Sequence, residues 1–153
     1  MHVRRSAVLI AWSALAALAV QRAGAQQAPI APPPASRSAR TGVYSAAQAQ
    51  RGQERYALMC QSCHTPASQA GPAFVNAWNG RTLLALFAYI ELSMPMSDPG
   101  VLTPEECAEL VAYLLKLNGF PPGPTDLSAN PDTLRGVRFD VATTPGGNPL
   151  PLR

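Results

Sequence analysis

The chain has 153 residues, 47% of them apolar and 14% charged, proportions ordinary for a globular protein and sufficient for one domain with a real core. Its formal net charge of +3 is carried by the N-terminus: without Arg4, Arg5 and Arg22, nine basic residues face nine acidic ones. The remainder is formally neutral, which argues against a nucleic acid or an anionic membrane surface as partner.

Met1 to Arg5 is short and basic, Ala7 to Val20 is apolar apart from Ser13, and Ala23-Gly24-Ala25 is a small-x-small cleavage site. Residues 1–25 therefore read as a signal peptide. The apolar run of 14 residues is shorter than the ~20 that span a bilayer, and no cysteine stands beside the cleavage site to be lipidated. The expectation is a mature chain with no membrane span, exported to an oxidising compartment after cleavage near Ala25 and Gln26. Residues 26–41 are rich in Gln, Ala, Pro and Ser and include Pro32-Pro33-Pro34, the composition of an extended linker that buries nothing.

Ser45 followed by Gln48 is a capping-box pattern that opens a helix running through Tyr56 to about Met59. Gly52 in its interior costs about 1 kcal/mol relative to Ala, so either the helix is weak or something packs against the bare backbone. Thr82 caps a second helix in which Leu83, Leu84, Leu86, Phe87 and Ile90 form an apolar face that stops before Pro95. The third has Thr103 as N-cap, Pro104 at the first position, Glu106 closing the box and Gly119 after its end. Cys107, Leu110, Val111, Leu114 and Leu117 form one stripe on it that must be buried. Cys107 on that stripe reads as a small core hydrophobe. No alternating strand pattern appears, so the fold class is all-α. From Phe120 onward the prolines and glycines deny regular structure, although Leu127, Leu134, Val137 and Phe139 can pin part of this tail to the core.

The chemistry lies in Cys60-Gln61-Ser62-Cys63-His64. Two thiols about one helical turn apart can add to the two vinyl groups of a haem, with an imidazole beside the second for the iron. A redox disulfide or half a zinc site is the competing reading of Cys-x-x-Cys. Zinc would also need Cys107 and a carboxylate or water, from positions without metal-ligand spacing. No neighbouring motif supports a serine or cysteine nucleophile paired with His64. His2 and His64 are the only histidines, and His2 falls in the signal segment, so a bis-histidine iron is excluded within the mature chain. Methionine is the remaining sixth ligand. Met59 directly precedes the attachment motif and is poorly placed, which leaves Met94, held extended before Pro95, with Met96 as the alternative.

These residues resemble the class I c-type cytochromes, especially the bacterial periplasmic ones that accompany quinoprotein dehydrogenases, over roughly Gly42 to Gly123. The matching positions are Gly52, Tyr56, Cys60, Cys63, His64, Gly71-Pro72, Phe74, Trp78, Met94-Pro95, Pro99-Gly100, Ala112-Tyr113 and Asn118-Gly119-Phe120-Pro121. The resemblance implies a small cytochrome c fold, three to four helices wrapped around one covalently bound haem c, in a domain at 42–123 with an irregular, partly packed tail at 124–153. It implies that the first and last helices cross at Gly52 against Tyr113, that the Pro72 carbonyl accepts the Nδ1 proton of His64, and that Trp78 lies by a buried haem propionate. Arg81 reads as a solvated loop arginine or as a counter-charge to that propionate.

Histidine and methionine together leave no open position on the iron, which favours one-electron transfer over oxygen activation and raises the potential. The expected function is a periplasmic or otherwise exported electron carrier, not an enzyme. Its expected partners are redox proteins, such as a quinoprotein dehydrogenase as donor and a terminal oxidase or another cytochrome as acceptor. A haem-bearing subunit of a dehydrogenase complex is the alternative, and an open-site haem enzyme or gas sensor a further one. Lys116 is the only lysine, so docking through an apolar patch around the haem edge is expected in place of a lysine ring.

Overall fold

The computed structural model describes residues 36–141. The expected signal segment at 1–25, most of the linker at 26–41 and the end of the tail at 142–153 lie outside the described residues. Within them the chain forms five α-helices and two very short strands. The helices are α1 (Ala46–Met59), α2 (Pro72–Trp78), α3 (Leu83–Ser93), α4 (Pro104–Leu117) and α5 (Pro131–Arg135). The strands are β1 (Arg37–Ser38) and β2 (Val137–Arg138). The fold is all-α in substance, as its periodicity predicts.

Local signals explain the helix ends. Ser45 accepts from the Gln48 amide at α1, Thr82 from the Ala85 amide at α3, and Thr103 from the Glu106 amide at α4. At α4 the Glu106 carboxylate accepts from the Thr103 amide in return, closing the capping box. The sequence pattern did not single out α2. Its seven residues are too few to show a period, but Pro72 at its first position after Gly71 is a start signal of the kind that favours N1 proline.

The most extensive helix–helix contact is α1 against α4. A Cβ on Gly52 would fall inside contact distance of the Glu109 carbonyl oxygen and 3.0 Å from the Tyr113 Cβ. Bare backbone at position 52 therefore lets the helices touch, and the Tyr56 and Tyr113 rings stack beside the crossing at 5.2 Å. Helix α3 packs on α4 as well, so α4 is buried beyond the expected stripe: Ala108, Ala112, Tyr113 and Leu115 are buried together with Cys107, Leu110, Val111 and Leu114.

Two segments are more ordered than their composition predicts. Arg37–Ser38 of the expected linker pairs in parallel with Val137–Arg138 of the expected irregular tail, and Ala39 next to it is fully buried. Beyond Gly123 the chain forms α5, capped by Asn130, and sends Leu127, Leu134, Val137, Phe139 and Val141 into the core. Tertiary packing supplies what local propensity withholds: Phe139 lies against Phe74 and Phe120, and α5 rests on α3. Buried polar groups fix the return path. Gln48 donates to the Leu127 carbonyl at 3.0 Å and accepts from the Leu127 amide at 2.7 Å, so both polar atoms of a buried amide are paired. Tyr44 donates to the Phe120 carbonyl at 2.6 Å, Gly123 donates to the Tyr44 carbonyl, and Ser45 bonds Asp126.

Across the α1–α4 seam, Arg51 pairs with Glu109 and Asp126, and Arg55 with Glu106 and Glu109. As a partly exposed network this adds orientation more than free energy.

Replacing Gly52 by Ala is expected to force α1 from α4 and to destabilise the holoprotein by about 3 kcal/mol, because the obstructing atom is backbone and cannot rotate away. Urea denaturation of the variant checks this. Cys107 is fully buried, and burial pushes its thiol up to about 12. It should resist alkylation until the protein unfolds, and Cys107→Ala should leave the redox behaviour unchanged. A covalent dimer in the wild type that Cys107→Ala abolishes would contradict that reading.

Candidate haem-binding site

The attachment motif is a continuation of α1. Helix α1 ends with Cys60 as C-cap, where the Cys60 and Gln61 amides both donate to the Tyr56 carbonyl. The Cys63 and His64 amides then donate to the Cys60 carbonyl at 3.1 and 2.9 Å, forming one further turn. That turn displays both thiols and the imidazole from a single rigid corner, with Cys60 and His64 half-buried and Cys63 exposed. Tyr56 fastens the corner from beneath: its hydroxyl donates to the His64 carbonyl at 2.7 Å, and its ring is held by Tyr113. Burial, and then the neighbouring Cys63, push the Cys60 thiol above its usual range.

Facing the motif is a cleft of ≈ 260 Å³. Phe74 and Trp78 of α2, Leu86, Tyr89 and Ile90 of α3, and Leu110 and Leu114 of α4 supply its apolar walls. Cys60, Cys63 and His64 line one part of it, and Met94 and Met96 line another. The donor chemistry fits a covalently attached haem: two thiols for bonds to the porphyrin edge, an imidazole and a thioether for iron, and hydrocarbon elsewhere. It does not fit a bare metal ion, since among the described residues no three His, Cys, Asp or Glu side chains are grouped to hold one.

The two methionines differ. Met94 is the C-cap of α3, extended at φ −126° and ψ 143°, and half-buried. Met96, two residues on, is 79% exposed. Met59, set aside on sequence grounds, also lines the cleft, from the α1 side next to Cys60.

Trp78 lies in the cleft wall, between Phe74 and Tyr89. The guanidinium of the exposed Arg81 sits 4.6 Å from the centroid of its ring, within cation–π range. Pro72 is the residue whose carbonyl the resemblance assigns to His64 Nδ1. It opens α2, it does not line the cleft, and the polar neighbour of His64 Nδ1 is Gln69 Nε2 at 3.4 Å. Gln69 carries no motif that would have marked it; Asn118, which fastens the loop carrying Gln69, stands in the matching Asn118-Gly119-Phe120-Pro121 stretch, but without a stated role.

Burial pushes both Tyr44 and Tyr56 up to about 12 from an ordinary 10.0. With the folded-state values raised, the stability they contribute is complete below pH 10 and is lost as pH rises through about 12. A phenolate absorbance titration should show these two rings ionising together with alkaline unfolding. Tyr56→Phe, which leaves the His64 carbonyl without its partner, should cost about 1 kcal/mol in urea denaturation.

Residues 47–114 match the family described as cytochrome c oxidase, cbb3-type, subunit III. The matched span runs from α1 through the attachment motif, α2 and α3 to most of α4, the elements that enclose the cleft. No curated protein and no solved structure gives a significant match. No helix among the described residues is long and apolar enough to cross a membrane. Fold, cleft and matched span agree: residues 47–114 form a c-type cytochrome domain, built on one Cys-x-x-Cys-His motif and suited to haem-based electron transfer.

Proposed function

We propose that the protein is an exported, single-haem electron carrier, with haem c bonded through Cys60 and Cys63 and its iron ligated by His64 and Met94. The observation that carries this reading is the cleft itself, which places the two thiols, the imidazole and a sheltered thioether around one apolar space. The haem, when bound, supplies one-electron oxidation and reduction at iron.

The chain's own residues do the rest. Cys60 and Cys63 would tether the group through thioether bonds, each S–H adding across one vinyl double bond, so that it could not dissociate. His64 is presented by a helical turn that Tyr56 clamps, which fixes the direction of the ring. Met94 is favoured over Met96 because a weak thioether ligand persists where water is kept out, and Met96 is mostly in solvent. The walls from α2, α3 and α4 lower the local dielectric and with it favour the less charged, reduced state, so the potential is expected to be positive. With His64 and Met94 both held for the iron, no position would be left for oxygen or peroxide.

Export rests on the signal-like first 25 residues. The donor we favour is a dehydrogenase, a quinoprotein dehydrogenase among the candidates, and the acceptor an oxidase or another cytochrome. A haem-bearing subunit of a dehydrogenase complex would use the same site. Tyr89 and Met96 are exposed where they line the cleft, while the lone lysine, Lys116, lies on α4 bonded to Gln53. Docking is therefore apolar in this reading.

Optical spectra of the oxidised and reduced holoprotein test the ligand set. The wild type and Met96→Ala should show the weak near-infrared methionine-to-iron charge-transfer band, and Met94→Ala should lose it. A wild type that lacks the band and binds carbon monoxide readily would put the open-site enzyme or sensor first. Electron-transfer rates with the physiological donor should change little with added salt; a steep fall would overturn apolar docking.

A further inference from the structure

The cleft wall at Trp78 is held from outside the span that matches the family. That span covers residues 47–114, and the contacts come from residues 137–141. Phe139 is fully buried, its ring against Phe74 at 5.9 Å and Phe120 at 4.7 Å. Its backbone faces the turn that joins α2 to α3. The Gly80 amide donates to the Phe139 carbonyl at 2.7 Å, and the Phe139 amide donates to the Arg81 carbonyl at 2.9 Å. Arg138 donates from its guanidinium to the Gly80 carbonyl at 2.8 Å, and Val141 from its amide to Asn79 Oδ1 at 3.1 Å. These bonds fix three consecutive residues, 79–81, to a segment that an aromatic ring anchors in the core.

That turn decides where a charge sits. The Arg81 amide donates back to the Trp78 carbonyl at 3.0 Å, with Gly80 between them at φ 78°, in the left-handed region. The chain so turned lays the Arg81 guanidinium 4.6 Å from the centroid of the Trp78 ring. Trp78 is buried and lines the cleft, and among the described residues that lining holds no Asp, Glu, Lys or Arg. Neither Arg81 nor Arg138 makes an ion pair among the described residues, and Asp140, the one carboxylate of the 137–141 segment, accepts from the Ser38 hydroxyl. The Arg81 charge therefore stands uncancelled one aromatic ring away from an uncharged, apolar space, in which a field is damped far less than in water. A cation so placed opposes the extra positive charge that oxidation gives an iron held there.

We infer that residues 137–141 are a positioning element of the site: they hold Arg81 over Trp78, and from there its charge raises the reduction potential of the iron. The inference rests on a haem occupying the cleft, as proposed above.

Potentiometry of the holoprotein, at low and at high salt, tests it. Arg81→Gln, which keeps a planar amide near the ring and removes the charge, should lower the potential, and Arg81→Lys should hold most of it. Because Arg81 is exposed, the gap between wild type and Arg81→Gln should narrow as salt is added. Phe139→Leu loosens the anchor and changes no charge. It should lower the potential of the wild type and leave that of Arg81→Gln almost unmoved, the non-additivity of two changes that act through one group. Asn79→Ala, which takes away only the acceptor of the Val141 amide, makes the same comparison if Phe139→Leu yields no holoprotein. If Arg81→Gln keeps covalent haem and the wild-type potential, the charge does not reach the iron and the inference is overturned. It is overturned equally if Phe139→Leu lowers the potential by the same amount in both backgrounds, since the segment then acts by packing alone. A wild type with no covalently bound haem would instead overturn the reading of the site, before any potential is compared, and this inference with it.

Discussion

The close crossing of α1 on α4 is the constraint on which the rest depends. At Gly52 there is no side chain, and backbone meets backbone at Glu109. Every element of the cleft is referred to that seam. The attachment motif forms the turn that follows α1, Leu110 and Leu114 of the cleft wall belong to α4, and Tyr113 of α4 supports Tyr56, which in turn bonds the His64 carbonyl. Moving the helices apart by the width of one methyl group would shift the imidazole relative to its wall, since packed interiors transmit displacement and do not absorb it.

Helix α3 and the stretch after Gly123 complete the enclosure in different ways. Helix α3 brings apolar bulk and ends on Met94, so that one element supplies both wall and donor. Among the described residues, the later stretch brings none to the cleft lining. It places Phe139 against Phe74 and Phe120, while Gly80 donates to the Phe139 carbonyl and Phe139 to the Arg81 carbonyl. In this way it holds the α2–α3 connection, and with it Trp78 and Arg81.

What the sequence made legible follows from how local each signal is. Ser45, Thr82 and Thr103 each bond an amide within three residues, so their helices could be read with their ends. The two cysteines and the histidine lie within five residues, and their chemistry is set by that spacing alone. Strands of two residues have no period to detect, and α5 sits in a proline-rich stretch whose order comes from the buried Leu134 and its neighbours. The amides of Gln69 and Asn118 fall into the same class. Glutamine and asparagine are common surface residues, and only tertiary placement brings one to an imidazole ring and the other to the loop that carries it.

The pairing of Arg37–Ser38 with Val137–Arg138 has a mechanical consequence. The two strands come from opposite ends of the described chain and run parallel. A force that pulls those ends apart therefore loads the pair in shear, across all its hydrogen bonds at once, and not bond by bond as in peeling. The Arg37 amide bound to the Gly136 carbonyl, and the Ser38 hydroxyl bound to Asp140 at 2.5 Å, share that load. Tension on the flanks is thereby taken up at the rim of the domain, and the cleft with its donors is spared a pull that would otherwise run straight into α1.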